Sequence, residues 1–468
     1  MMERRNFIKA ALATGLLYGT GSLPSVSRIA RAGFAPVNRR ILVNVMLAGG
    51  PDFRHLFPPA YNANSASFGY RYWEARARSH DISSSNASAW QDRWTNDYFA
   101  VSGGGTTFGI LRNCGWLKRM YDQGNVAIIA NAIGSSSRDH DHSISILDQG
   151  NRAYLANATE GSGWGGRLAK AAGGNAVALT KTPRRFCYGP HPTNPQLYDN
   201  ANMISAADMR NVGLYQTDPD SNPTYTRARL VRSLSNYYRA KRVEVPRGST
   251  FGRIVEHERR LRQFEQPINN RLATLPIPSG IADLYSGGVL NSGSFGTQIR
   301  NLYDALACND VLNMRTASLE YNGWDSHKGQ RNMIEPKLSD MFGDGKALDT
   351  LYQNLTGDAQ ANTVIVIAGE FGRQLKANGD NGTDHGRGNY MLIIGQPVSG
   401  GVYGNMFPTS EIAKLTGNSP DIDGLTHIDR HFGAVCDWVQ PGSGGVVFPA
   451  RATSDIEPGV SFGALMSG

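Results

Sequence analysis

Two largely apolar runs, Ile41 to Leu47 with Asn44 at its middle and Thr363 to Ile367, are each followed within a few residues by a carboxylate, Asp52 and Glu370. Apolar runs of this length, rich in β-branched residues and lacking polar alternation, read as strands buried on both faces, the kind that parallel sheets use. A parallel sheet is covered by helices and binds ligands beyond the carboxyl ends of its strands. The pattern therefore constrains fold and site together. It predicts an α/β chain with a mostly parallel central sheet flanked by helices, and chemistry gathered at strand ends. Four short stretches stand where a predicted strand runs out: Gly50-Pro51-Asp52, Trp324-Asp325-Ser326-His327, Gly369-Glu370-Phe371-Gly372-Arg373 and Thr383-Asp384-His385-Gly386. Carboxylate oxygens mixed with imidazole nitrogens suit a divalent metal.

The amino terminus carries Arg4-Arg5-Asn6-Phe7-Ile8-Lys9, then the apolar stretch Ala10 to Leu17 and Ala30-Arg31-Ala32. This is the arrangement of a twin-arginine signal peptide over residues 1–32, with an A-x-A type cleavage site. It predicts passage through the twin-arginine translocase in the folded state and a periplasmic or secreted location. A mature domain would span residues 33–468. No later stretch approaches the roughly 20 apolar residues of a membrane span, so no integral membrane segment is expected after cleavage.

The chain has 47 Lys plus Arg against 39 Asp plus Glu, and removal of residues 1–32 takes five basic groups and one acidic, leaving +4. So small an excess argues against nucleic acid as a partner. The charge is uneven, because Arg227 to Arg262 holds eleven basic residues against Glu244, Glu256 and Glu258. Cys114, Cys187, Cys308 and Cys436 contain no C-x-x-C pair, which excludes a cysteine zinc site, a thioredoxin-type motif and haem attachment. In an oxidising compartment they allow two disulfides in any of three pairings.

Along the chain, Pro58 to Gly105 is rich in Ser, Asn, Gly and aromatic residues and reads as a surface insertion. Leu111 to Asp122 has helical spacing and Val126 to Ala130 reads as a short buried strand. The polar loop Ser135 to Ser143, containing Arg138, Asp139, His140, Asp141 and His142, follows it. A second insertion, at about 190–285, includes a basic helical hairpin, with one helix after Pro223 and another from about Arg253 to Phe264, forming a cap. A strand around Ala317 to Tyr321 and a helix from Ile334 to Leu355 return the chain to the core.

Each candidate has a second reading. Asp325 and His327, two apart on extended backbone, project to one side and reach one ion, or are surface groups. Asp384-His385 is a ligand pair or an Asx-turn with an exposed imidazole. Glu370, at a buried strand end, needs a metal or a salt bridge with Arg373. Asp52 is a ligand or a helix N-cap. His427 and His431, spaced i, i+4, fit one face of a helix but lack a third ligand nearby in sequence.

In order, Leu47-Ala48-Gly49-Gly50-Pro51-Asp52, Ser137-Arg138-Asp139-His140, Gly163-Trp164-Gly165-Gly166-Arg167, Gly323-Trp324-Asp325-Ser326-His327, Gly369-Glu370-Phe371-Gly372-Arg373, Thr383-Asp384-His385-Gly386 and Gly400-Gly401-Val402-Tyr403-Gly404 span nearly the whole mature chain. This set resembles the twin-arginine-exported bacterial family catalogued as domain of unknown function fifteen hundred and one, grouped with the alkaline phosphatase and sulfatase superfamily. The resemblance implies an alkaline-phosphatase-like fold and a one-metal or two-metal site that hydrolyses or transfers phosphate or sulfate esters. Carried over, Asp52, Asp325, His327, Glu370, Asp384 and His385 are the implied ligands of Zn, Mn or Ca. Asp139, His140 and Arg138 are the implied catalytic groups, and Arg373, Arg138 or a cap arginine is the anion clamp. The family carries Ser where this chain has Asp139, so Asp139 is read as a ligand, an aspartyl nucleophile or a general base. The expectation is an exported metal-dependent hydrolase acting on an anionic small molecule or glycan. The alternative is an inactive relative serving as a periplasmic binding or envelope-assembly protein.

Overall fold

The computed structural model describes residues 34–150, 161–194, 196–199, 202–211, 226–246, 249–284, 294–417, 420–422, 424–449 and 460–467. The expected signal peptide lies outside the described residues.

Nine strands form one sheet: β1 (Ile41–Ala48), β2 (Val126–Ile133), β3 (Asn175–Ala178), β4 (Met203–Ser205), β5 (Met314–Asn322), β6 (Thr363–Ala368), β7 (Asn389–Ile394), β8 (Gly401–Tyr403) and β9 (Thr426–His427). Their spatial order is β8-β2-β7-β6-β1-β5-β3-β4, with β9 also paired to β2. β1 pairs in parallel with both β6 and β5, and every other pairing is parallel except the two made by β7. The connection 369–388 contains no helix that could cross a face of the sheet. The chain therefore re-enters beside β6 from the carboxyl edge and must run backwards, because parallel neighbours require a crossover.

The predicted strands at Ile41, Val126, Ala317 and Thr363 are all present, each slightly longer than the periodicity suggested. Alternation along β1 splits the core, with Val43, Val45 and Leu47 in one apolar cluster and Leu42 and Met46 in the other. On the second face Trp164 stacks on Phe432 at 4.7 Å and meets Phe186 edge-on. Helices Trp164–Ala171 and Ile428–Val439 thereby close that face.

Three expectations need correction. Pro58 to Gly105 is not a surface insertion. It forms helices Phe68–Arg76 and Ala87–Asp97 and the first strand of a hairpin, Tyr98–Gly103 with Thr106–Leu111, and buries Tyr72, Trp73 and Trp90. Its Ser and Asn residues cap helices, as Ser67 and Asn86 do, while its aromatic residues fill the core. The single helix expected from Ile334 to Leu355 is two, Gln330–Phe342 and Ala347–Asn354, separated at Gly343 and Gly345. The four cysteines are buried and form no disulfide with one another.

The basic helical hairpin is present as Thr226–Glu244 and Thr250–Thr274. Its root is Arg271, which bonds Asp310 and the carbonyl of Ala307, beside buried Ile268 and Leu272. Asp310 precedes the first residue of β5, whereas Asp325 follows the last. At about 3.3 Å per residue, β5 holds those points roughly 30 Å apart. No described helix is long and apolar enough to cross a membrane.

Candidate metal centre

The carboxyl ends of β1, β2, β5 and β6 and the amino end of the reversed β7 share one edge of the sheet, and the loops leaving them interlock. Gly49 and Gly50 make this possible. Both have positive φ, +120° and +70°, and a Cβ on Gly49 would lie 2.4 Å from the Asp325 amide nitrogen. A Cβ on Gly50 would lie 2.5 Å from the Phe371 ring. Only glycine accepts both the conformation and the close approach. The loops after β5 and β6 are then tied by an antiparallel bridge between Lys328 and Asn381, and the loop after β6 is closed on itself by one between Arg373 and His385.

Asp325 lies at the middle of the side chains that converge there. His140, Asp325 and His385 each offer a ligand atom within 4.8 Å of the others. His385 Nε2 and His327 Nε2 lie 3.0 and 3.1 Å from Asp325 Oδ1 and 3.0 Å from each other. His140 Nε2 is 3.6 Å from Asp325 Oδ2. The other nitrogen of every ring faces an acceptor: His140 Nδ1 faces Glu370 Oε1 at 2.8 Å, His327 Nδ1 faces Asp384 Oδ1 at 3.0 Å, and His385 Nδ1 faces the Arg138 carbonyl at 2.9 Å. With the N–H placed on Nδ1 toward these three acceptors, Nε2 is the unprotonated nitrogen. In that tautomer each ring turns an Nε2 lone pair inward.

Three lone-pair atoms about 3 Å apart repel one another unless a cation or a proton lies among them. Burial, with the charge of Arg373 adding to it, lowers the His385 pKa despite the neighbouring carboxylate of Asp325, which disfavours the proton. Around the rings, three carboxylates (Asp325, Glu370, Asp384) face one guanidinium, Arg373. Glu370 is fully buried; its Oε1 accepts from the Gly49 amide at 2.9 Å, while Oε2 has no hydrogen-bond partner. The cluster opens on the other side, where the side chains of Asp325 and His327 are 42% and 40% exposed.

Partial burial opposes ionisation of Asp325, but the hydrogen bond and charge of Arg373, with the imidazoles of His385 and His327 beside it, hold its carboxyl down at about 2. The hydrogen bond from Asn378, reinforced by His327, keeps Asp384 below the usual carboxylate range. Arg373 is buried and donates to the carbonyls of Gly50 (2.8 Å), Thr383 (2.9 Å), Trp324 (3.3 Å) and Gly49, and to Asp325 Oδ1 at 2.5 Å. It is a hub for three loops rather than an anion clamp. The salt bridge expected between Glu370 and Arg373 is made by Asp325 instead.

Of the residues predicted from sequence, His140, Asp325, His327, Glu370, Asp384 and His385 come together. Asp52 does not join them. Its carboxylate pairs with Arg76, accepts from Gln330 at 2.7 Å and caps the short helix Phe53–Leu56 through His55 N. Asp139 is exposed and N-caps helix His140–Gln149, with Oδ1 accepting from His142 N at 2.8 Å. Arg138 reaches the cluster through its carbonyl, while its guanidinium pairs with Asp421. Asp141 and His142 are exposed on the first helical turn. His431 is buried in helix Ile428–Val439 between Phe432 and Phe462. Sequence reading missed Asn378, which donates to Asp384 Oδ1 and to the His327 carbonyl, and Gln330. Neither belongs to a residue type or spacing that announces a metal site.

The fold and site define a mixed α/β protein with a mainly parallel central sheet and a histidine–aspartate cluster at its carboxyl edge. The family model described as "Protein of unknown function (DUF1501)" matches residues 124–416, more than half of the chain, and the chain belongs to that family. The match includes every residue of the cluster. No curated protein matches the chain.

Proposed function

We propose that the chain is an exported, metal-dependent hydrolase of phosphate or sulfate esters, with an alkaline-phosphatase-like arrangement of its α/β core. The observation that carries this reading is that three imidazoles, each locked by an acceptor on Nδ1, aim Nε2 at one carboxylate. That is the carboxylate–histidine–metal pattern, in which outer partners fix tautomer and orientation. Asp325, His140 and His385 would hold the ion, with His327 a further donor beside Asp325 and His385. Glu370, Asp384 and the Arg138 carbonyl orient the rings, so Glu370 and Asp384 serve as outer partners rather than ligands. Three nitrogens and one oxygen suit Zn or Mn, whereas Ca takes six to eight oxygens. One compact donor set, with Asp52 held by Arg76, favours one ion over two.

A divalent ion there supplies Lewis-acid polarisation of an ester oxygen and eases deprotonation of water at neutral pH. The chain's own groups set the geometry. Phe371 packs against His140 and His385, at 4.9 and 4.5 Å between ring centres, and walls the inner side of the cluster. The exposed side, at Asp325 and His327, receives the substrate. The twin-arginine pattern at Arg4-Arg5 supports export after the metal is acquired.

A second reading, an inactive relative that binds rather than hydrolyses, draws on one observation. Asp139, at the expected nucleophile position, caps a helix. Phosphate and sulfate monoesters assayed with and without a chelator separate the two readings. Hydrolysis that disappears on chelation and returns with Zn or Mn is the expected result. A metal-loaded chain that turns over no ester favours the binding protein.

A further inference from the structure

Gln330 is fully buried at the first position of helix Gln330–Phe342 and makes hydrogen bonds in four directions. Nε2 donates to Asp52 Oδ2 at 2.7 Å and to His55 Nδ1 at 3.2 Å. Oε1 accepts from Ser326 Oγ at 3.0 Å and from Thr383 Oγ1 at 2.5 Å. The amide orientation is determined, because the Asp52 carboxylate and the His55 nitrogen both need a donor. His55 offers Nδ1 as an acceptor since its Nε2 donates to Glu335 Oε1 at 2.8 Å. With Nε2 committed, Oε1 faces the two hydroxyls.

Those hydroxyls stand at informative places. Ser326 lies between Asp325 and His327, and Thr383 immediately precedes Asp384-His385. One carbonyl oxygen thus ties the loop after β5 to the loop before β7, the two segments that supply three of the four inward-facing groups. The tie is anchored at its back. Asp52 is held by buried Arg76, which also donates to the Gln374 carbonyl at 2.8 Å. Glu335 is held by Arg93.

We propose that Gln330 is a positioning residue that sets the spacing of the Asp325–His327 pair against His385, acting through Ser326 and Thr383. This rests on the metal reading of the cluster. Gln330 touches no inward-facing atom itself; it restrains the two backbones whose approach brings three donor atoms within about 3 Å of one another. Outer groups of this kind typically alter metal affinity 10–100-fold.

The test uses the full chain and Co²⁺ alone as probe, read by its visible absorption and by chelator competition. Gln330→Leu removes all four hydrogen bonds at similar volume. Because it also leaves Asp52 short of a donor and can impair folding, the pair Ser326→Ala and Thr383→Val is made beside it. That pair removes only the two bonds to Oε1 and leaves the anchors in place. The expected result is a Co²⁺ spectrum altered from wild type and an affinity about 10–100-fold weaker in the folded Ser326→Ala/Thr383→Val chain. Adding those changes to Gln330→Leu should lower affinity little further, since groups acting through one network are not additive. Wild-type spectrum and affinity in the double variant would overturn the proposal while leaving the metal centre standing. Absence of a Co²⁺ spectrum in the wild-type chain would overturn the metal reading and this inference with it.

Discussion

Replacing His385 with alanine is expected to weaken metal binding more than about 100-fold, because loss of an outer partner alone already costs 10–100-fold. The metal-free fold should be left essentially unchanged. His385 contributes one Nε2 lone pair to a set in which His327 Nε2 and Asp325 Oδ1 are both about 3.0 Å away. Without a cation that contact is repulsive, and its relief offsets the lost hydrogen bond from Nδ1 to the Arg138 carbonyl in the apo chain. What disappears is the ligand-linked stabilisation, which grows as the logarithm of metal concentration over its dissociation constant. Thermal unfolding with and without added Zn checks both halves. Wild type should gain stability with metal and His385→Ala should not. A variant that keeps the metal-dependent gain would show that His385 is not a ligand.

Arg373→Met is the change expected to harm the fold most, by about 1–3 kcal/mol or more, set by the backbone acceptors it leaves without a donor rather than by its half-exposed partner Asp325. The guanidinium supplies donors to four carbonyls and one carboxylate on three loops. Methionine fills part of the space and satisfies none of those acceptors, and a buried acceptor without a partner costs about 1–3 kcal/mol. Arg373→Lys should recover little, since an ammonium cannot reach donors arranged as a planar fork. Urea denaturation should show a lowered midpoint in both variants with an unchanged slope. A midpoint within error of wild type would mean that the loops are held by other contacts.

The sheet was legible because its strands announce themselves. Apart from Asn44 and Thr363, Ile41 to Leu47 and Thr363 to Ile367 are apolar without alternation, and burial on both faces explains such runs. The site was legible to the extent that residue type carries it. Asp325, His327, His385 and Glu370 are metal-type groups at strand ends, and they meet. What stayed hidden depends on three-dimensional partnership. Asp52 and Asp139 have the composition of ligands, yet one is held by Arg76, a residue in a segment read as surface, and the other by the amide of His142. The reversal of β7 was hidden because a loop of about 20 residues looks the same whether or not it crosses a face. Arg373 was read as an anion clamp because sequence shows its charge but not the carbonyls surrounding it. Gln330 matters only because Ser326 and Thr383, 57 positions apart, both point at it.

The three histidines and Asp325 are expected to hold a single divalent ion. Elemental analysis of the full chain, purified without chelators and dialysed against metal-free buffer, tests it directly. The account predicts about one equivalent of a transition metal, Zn or Mn first, per chain, as an N₃O donor set of this kind favours. Metal far below stoichiometry, with no uptake on adding Zn or Mn, would contradict it and leave the lone-pair cluster to be explained by protonation.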